Sequence, residues 1–310
     1  MRSVALVLVI DLVLITGPMG AQTVTVAHLS DLHIDIAHHP GSEERLQHAI
    51  DMIRKRHVDA VIITGDIGNS FEHSWSKARA MLASLNLPVY YVPSNHDNTA
   101  KTTARYNVVF GKDYYTFSVR GIQFVALDSQ LLGSFNNVRS TVPEAVSKDD
   151  EAAAETMLEW LSDLRLKRPV IALQHVPPDR PSAQTSPDDK PYWILHNPWR
   201  RRELDALRKL GVKHILAGHW HQGSIYDVDG FTIHVAPATS WSPRSPVGFA
   251  LHTINVDGKV NTEFLYFEQQ PFSRTSSSLQ PAEVDEGIFI LFFAMVEETA
   301  EYPRQIVREK

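Results

Sequence analysis

The sequence predicts an α/β protein with a mixed sheet or sheets, and three observations lead there. Short β-branched runs alternate with segments of helical hydrophobic period through the first two thirds of the chain. In the last third, strand-like runs are paired across Asp-Gly, a hairpin signal that adds antiparallel strands. Five of the strand-like runs end at once in a cluster of Asp, Asn or His. In open α/β sheets, ligands bind beyond the carboxyl ends of the strands.

Each element has its own warrant. Residues 23–29 are apolar and β-branched, hence a strand, and 43–57 place Leu46, Ala49, Ile50 and Ile53 at helical spacing. A short apolar run at 60–64 is a strand. Residues 72–85 line up Trp75, Ala78, Met81, Leu82 and Leu85 on one helical face, and 89–92 form a strand ended by Pro93. A hairpin is predicted for 114–119 and 122–127 across Arg120-Gly121. Helix 149–166 turns Met157, Trp160, Leu161 and Leu164 inward, and strand 169–174 follows. Helix 200–210 carries Leu204, Leu207 and Leu210, and strand 213–217 follows it. Asp229-Gly230 then separates 224–228 from 231–235, and Asp257-Gly258 separates 251–256 from 260–267.

Composition narrows function. The 310 residues are 43% hydrophobic and 21% charged, an ordinary globular balance that excludes disorder for most of the chain. Thirty Lys and Arg against 36 Asp and Glu leave −6, which lacks the basic footprint of a general nucleic-acid binder and weighs against a nuclease. With no cysteine there are no disulfides, thiolate metal sites, cysteine nucleophiles or Cys-linked lipids. Histidine, at 15 copies, is the outlier. Residues 1–21 begin with Arg2 and a short apolar run and close on small residues, the pattern of a secretory leader. The chain is therefore expected to be exported, periplasmic or secreted, with a main domain over 22–269. Residues 270–310 form an appendage whose apolar run, 287–296, is too short for a membrane span of about 20 residues.

The clusters at the strand ends carry the chemistry. They are Ser30-Asp31-Leu32-His33, Gly65-Asp66, Ser94-Asn95-His96-Asp97, His175 and Gly218-His219-Trp220-His221. Imidazole with carboxylate and carboxamide oxygen suits Zn, Fe or Mn. In extended backbone, residues i and i+2 point the same way, so Asp31 with His33, and His219 with His221, are each expected to present two ligands to one side. Gly65 and Gly218 precede ligands, where a missing Cβ permits close approach of backbone and metal. Tyr192, Trp193 and Trp220 are placed as pocket walls or as core. His38 and His39 are expected to be solvated loop residues, and Arg200, Arg201 and Arg202 a solvated helix start.

In this order the motifs DLH, GDIGN, SNHD, QH and GHWH resemble the calcineurin-like metallophosphoesterase superfamily over about residues 24–268. The resemblance implies a four-layer α/β/β/α sandwich with two mixed sheets. It also implies two metal ions, Mn, Fe or Zn. Asp31, His33 and His221 would bind one, Asn95, His175 and His219 the other, and Asp66 would bridge them. His96 matches the family's catalytic histidine, and Asp97 would orient its ring. A phosphate ester would then be hydrolysed by in-line attack of a metal-bridging hydroxide, with His96 as proton donor. Ser94 departs from the family's usual glycine, and a position needing positive φ would strain it.

FGKDYYTFSVRGIQFVALDSQ (110–130), LQHVPP (173–178), the Lys190–Trp193 stretch and GVKHILAGHWH (211–221) are further similar to the group called calcineurin-like phosphoesterase domain-containing protein 1. HLSDLH and HVPP are similar to class III cyclic-nucleotide phosphodiesterases. The two groups imply different activities, phosphoprotein phosphatase and cyclic-nucleotide phosphodiesterase. A non-enzymatic, metal-stabilised binding protein is the alternative from another class, and it would normally show a broken ligand set.

Overall fold

Along β1 (Thr23–Leu29), Val24 and Val26 face one apolar layer while Ala27 and Leu29 face another, and this alternation organises the molecule. The computed structural model describes residues 23–267 apart from 35–38, 69–71, 98–102, 182–190, 243–244 and several positions between 134 and 147. The expected leader at 1–21, the appendage at 270–310, His38 and Lys190 lie outside the described residues.

In chain order the elements are β1, α1 (Ser42–Arg54), β2 (Ala60–Ile63), α2 (Glu72–Ala83), β3 (Val89–Tyr91), α3 (Thr103–Phe110), β4 (Tyr115–Val119) and β5 (Ile122–Ala126). Then come α4 (Lys148–Asp163), β6 (Val170–Leu173), α5 (Trp199–Leu210), β7 (His214–Ala217), β8 (Ser224–Val228), β9 (Phe231–Val235), β10 (Gly248–Asn255) and β11 (Val260–Tyr266). One sheet has the order β11-β10-β1-β2-β3, and the other β4-β5-β6-β7-β9-β8. Both are mixed. β1, β2 and β3 run parallel, as do β5, β6, β7 and β9, while β10, β11, β4 and β8 pair antiparallel.

Three buried clusters separate four layers. Leu46, Ile50, Ile53, Trp75 and Leu82 of α1 and α2 pack on Ala27, Leu29, Val61 and Ile63 of the first sheet. Val26, Ile62, Phe124, Ile171 and Leu216 fill the space between the sheets. Val125, Ala172, Ile215 and Ile233 of the second sheet meet Met157, Leu161, Leu204 and Leu207 of α4 and α5. The α/β/β/α sandwich is thus built from period-2 strands whose two faces are both buried.

The hairpins lie where expected. Arg120 and Gly121, like Asp229 and Gly230, both have positive φ, as two-residue hairpin turns require. Helix α3 was not anticipated: eight residues are too few to show a helical period, although Tyr106 is buried edge-on against Trp75 at 5.9 Å. The predicted helices 43–57 and 149–166 end three residues early, at Arg54 and Asp163.

Candidate metal centre

The parallel strands β1 and β2 of one sheet and β6 and β7 of the other deliver their C-terminal ends to one place. Asp31 N–H donates to Gly65 O (3.0 Å), His33 N–H to Asp66 O (2.8 Å) and Gly218 N–H to His175 O (2.9 Å), while His219 N–H reaches Asp31 Oδ2 (3.3 Å). Around these cross-links the backbone is left-handed at Asp31 (φ 54°), His33 (φ 44°), Asp66 (φ 49°), His219 (φ 69°) and His221 (φ 56°). The extended backbone expected for the Asp31/His33 and His219/His221 pairs is therefore wrong. The ligand types sit in tight turns, each at a conformational cost of order 1–3 kcal/mol that the surrounding contacts must offset.

Asp31, His33, Asp66 and His221 bring one ligand atom each to within 4.8 Å of one another. His221 Nε2 lies 3.0 Å from Asp31 Oδ1, and His33 Nε2 lies 3.7 Å from Asp66 Oδ2 and 3.3 Å from His221 Nε2. The other oxygen of Asp66, Oδ1, is 3.4 Å from His175 Nε2, which is 3.2 Å from His219 Nδ1. Asp66 thus faces both histidine sets with different oxygens. Asn95, in the adjoining turn, keeps Oδ1 buried without a hydrogen-bond partner.

The protons on these rings decide what fits between them. His175 Nδ1 meets Thr64 O at 2.6 Å, and His219 Nε2 meets Tyr192 O at 2.9 Å. A carbonyl only accepts, so both of those nitrogens carry hydrogen. In the neutral rings His175 Nε2 and His219 Nδ1 are then both lone pairs, facing each other at 3.2 Å. Two acceptors need a cation between them, so the donor set fits a metal ion.

The electrostatics agree. Burial would lower His221, but Asp31 and then Asp66 outweigh it and raise it. Burial would raise Asp31 and Asp66, but facing histidines hold Asp31 below, and Asp66 well below, the usual carboxylate range. Burial, then His175, lowers His219 to about 3, and burial holds His33 well down. Neutral imidazoles at His33 and His219 beside ionised carboxylates are the protonation states that metal ligands need, and His221 would give up its proton to a bound cation.

The turn after β3 carries His96. Its ring is partly exposed and stands edge-on to His33 at 5.3 Å. Asp97, expected to orient that ring, accepts from Ile67 N–H (3.0 Å), Gly68 N–H (3.1 Å), the Trp75 indole (2.9 Å) and the Ser94 hydroxyl (2.8 Å). These bonds brace the 94–97 turn against the turn bearing Asp66. Burial, then the charge of Asp66, raises Asp97 to about 6. Ser94 is absent from the positive-φ residues, so the strain raised for it does not arise. Its hydroxyl instead links Asp66 N–H (2.7 Å) to Asp97.

The two glycines make room for protein atoms rather than for metal. A Cβ on Gly65 would lie 2.6 Å from Ser94 Cβ and 2.8 Å from His175 Nδ1, and one on Gly218 only 1.9 Å from Ser30 Oγ and 3.1 Å from Asp31 Oδ2. Gly218→Ala is expected to cost about 1–3 kcal/mol of stability by overpacking. A thermal melt checks this, and an unchanged Tm would contradict it.

Several side chains lie elsewhere than the sequence places them. His39 is buried, stacked on His33 at 4.8 Å and tilted against Trp241 at 4.5 Å, and is not a solvated loop residue. Trp241, which the sequence reading missed, is also edge-on to His221 at 5.6 Å. It belongs to the loop after β9, where Thr239 N–H donates to Ser30 O at 2.8 Å. That loop is a further strand end at the same edge, the one signal that could have found Trp241. Tyr192 and Trp193 pack on His219 at 4.6 and 5.5 Å. Trp220 turns away, stacking on Tyr226 at 5.4 Å. The start of α5 is solvated as expected: Arg201 and Arg202 are exposed, Arg202 pairs with Glu155, and Arg200 pairs with Asp179 at 2.7 Å.

Residues 24–223 match the family described as calcineurin-like phosphoesterase. Over 143 residues the chain is 28% identical to a Bos taurus protein named serine/threonine-protein phosphatase CPPED1, covering 45% of this chain and 43% of that one. The chain thus spans less than half the length of that relative. Over 238 residues it is 22% identical to a Fibrobacter succinogenes protein named probable cyclic nucleotide phosphodiesterase, covering 71% of this chain and 82% of that one. The crystal structure of a dimetal phosphatase from Danio rerio superposes with a TM-score of 0.54 at 19% identity, covering 77% of this chain and 98% of that one, a likeness of fold.

Proposed function

The chain belongs to the calcineurin-like phosphoesterase family, and from that premise we propose that it hydrolyses phosphate esters at a centre for two metal ions, Mn, Fe or Zn. Asp31, His33 and His221 would hold one ion, Asn95, His175 and His219 the other, and Asp66, which faces both sets, would serve both. The observation that carries this reading is the pair of facing lone pairs on His175 Nε2 and His219 Nδ1, 3.2 Å apart. When bound, two such ions lower the pKa of water and offset the charge that grows on the phosphoryl oxygens.

The chain's own residues do the rest. Water adds to phosphorus as the ester P–O bond breaks, and the leaving oxygen needs a proton. His96 is at hand to donate it: it is partly exposed, and its backbone N–H lies 3.4 Å from Asp66 Oδ1. The Asp97 bonds hold its turn in place, and the half-buried Tyr192 and Trp193 limit water on the His219 side.

General acid help typically contributes about 10²–10⁴-fold, and most where the leaving group is basic. His96→Ala is therefore expected to slow an alkyl phosphate by about a hundredfold or more, and a nitrophenyl phosphate much less. Parallel kcat measurements check this, and equal losses on both substrates would mean that His96 only positions them. The relatives point to a phosphoprotein and to a cyclic nucleotide as substrates, and rates on mono- and bis-nitrophenyl phosphate with each metal separate monoesterase from diesterase.

A further inference from the structure

Away from the metal centre, four histidines and two threonines form a hydrogen-bonded chain through the layer between the sheets. Thr64 Oγ1 meets His28 Nε2 at 2.8 Å, and His28 Nδ1 meets His252 Nε2 at 3.0 Å. His252 Nδ1 and His234 Nδ1 both meet Thr262 Oγ1 at 2.8 Å, and His234 Nε2 meets His214 Nδ1 at 3.0 Å. The chain runs across β1, β10 and β11 of one sheet and then β9 and β7 of the other. These positions share the inward parity of Val26, Leu216 and Ile254, which are apolar. Burial holds His28 and His234 at about 3 and His252 well below its ordinary value, so the rings are neutral.

A neutral imidazole has one donor and one acceptor, and a hydroxyl donates once. Either direction satisfies every contact, but only the one that starts from the Thr64 hydroxyl gives that hydroxyl's hydrogen a partner in the chain. Thr64 donates to His28, His28 Nδ1 to His252, His252 Nδ1 to Thr262, Thr262 to His234 Nδ1, and His234 Nε2 to the half-buried His214. In the opposite direction His28 Nε2 donates to Thr64 Oγ1, and the hydrogen of that buried hydroxyl has no partner in the chain.

One end of the chain meets the metal centre. Thr64 is two residues from Asp66, and its carbonyl accepts from His175 Nδ1 at 2.6 Å and from the Ser30 hydroxyl at 3.1 Å. His214 begins β7, the strand that leads into His219 and His221.

We propose that this histidine–threonine chain is a positioning device for the metal centre, fixing Thr64 so that the His175 ring aims Nε2 at the second ion. The inference rests on the two-ion reading above. Hydrocarbon at these positions would pack the layer, but it would leave the Thr64 hydroxyl, the side chain of the residue whose carbonyl holds His175, buried without its partner. Groups that orient a metal ligand typically change metal affinity by about 10–100-fold when removed.

Thr262→Val keeps the volume and removes the hydroxyl that joins the two sheets' histidines, while Thr262→Ser restores it. Zinc titration by calorimetry is expected to show two ions on the native and Thr262→Ser chains. On Thr262→Val one of the two ions should lose about tenfold in affinity and the other should stay within about twofold. Two ions bound to Thr262→Val as tightly as to the native chain, or both weakened by one common factor, would overturn the proposal. A native chain that takes up fewer than two ions overturns the two-ion reading, and the proposal with it. Ring nitrogen-15 NMR of the native protein is a test that no variant's folding can spoil. It should show hydrogen on Nδ1 of His28, His252 and His175 and on Nε2 of His234, and averaged tautomers at His28 and His252 would overturn the ordered chain.

Discussion

Asp66→Asn is expected to lower kcat by about a thousandfold or more while the chain stays folded. Asp66 is nearly fully buried, with Oδ1 3.4 Å from His175 Nε2 and Oδ2 3.7 Å from His33 Nε2. Asparagine keeps the size but replaces one oxygen with an NH₂ group, which cannot bind a cation. It also removes the negative charge between the two sites, so two bound cations would repel each other with less to offset it. Metal ions contribute several kcal/mol of charge stabilisation to such reactions, and about 4 kcal/mol corresponds to a thousandfold. Kinetics at saturating metal measure the loss, and circular dichroism checks the fold. A variant with near-native kcat would mean that Asp66 joins nothing essential.

Acid is expected to strip stability from the protein, and the interior histidines supply most of the gradient. His28 and His234 are lowered from 6.5 to about 3 by burial and by neighbouring histidines, and burial holds His252 well below its ordinary value. Below about pH 6.5 the unfolded chain binds protons that the folded chain refuses. Their stabilisation is therefore complete above that pH and is lost as pH falls toward 3. Each such group contributes about 1.4 kcal/mol per pH unit. Two carboxyl groups oppose them: burial raises Glu203 to about 8 and Asp97 to about 6. Those groups favour the folded state on acidification until pH falls to their ordinary range near 4. Stability should then decline gently from pH 6 to 4.5 and steeply below. Urea unfolding at stepped pH is the measurement. His234→Gln should flatten the slope between pH 6 and 4 by about 1.4 kcal/mol per pH unit, and an unchanged slope would mean that His234 is not held neutral.

What was legible in the sequence follows the range of the interactions. Strands and hairpins are local, so Arg120-Gly121 and Asp229-Gly230 marked their turns without further help. The clustering of the strand-end residues was readable because parallel strands deliver their C-terminal ends to a common edge. The backbone conformation of those residues was not. Asp31 and His33 turn left-handed where their N–H groups reach Gly65 and Asp66, more than thirty residues away. His39 looked like a loop residue because the ring that covers it, Trp241, lies two hundred positions along the chain. The histidine–threonine chain was invisible for the same reason. Its members sit on five strands, and only the order of those strands brings them together. Ser94 looked like a defect, and the structure places its hydroxyl between Asp66 and Asp97.

Anomalous diffraction from crystals grown with zinc or manganese tests the central claim most directly. Two peaks are predicted, one among Asp31, His33 and His221 and one among Asn95, His175 and His219, with an Asp66 oxygen on each. A single peak, or ions seated away from these side chains, would contradict it.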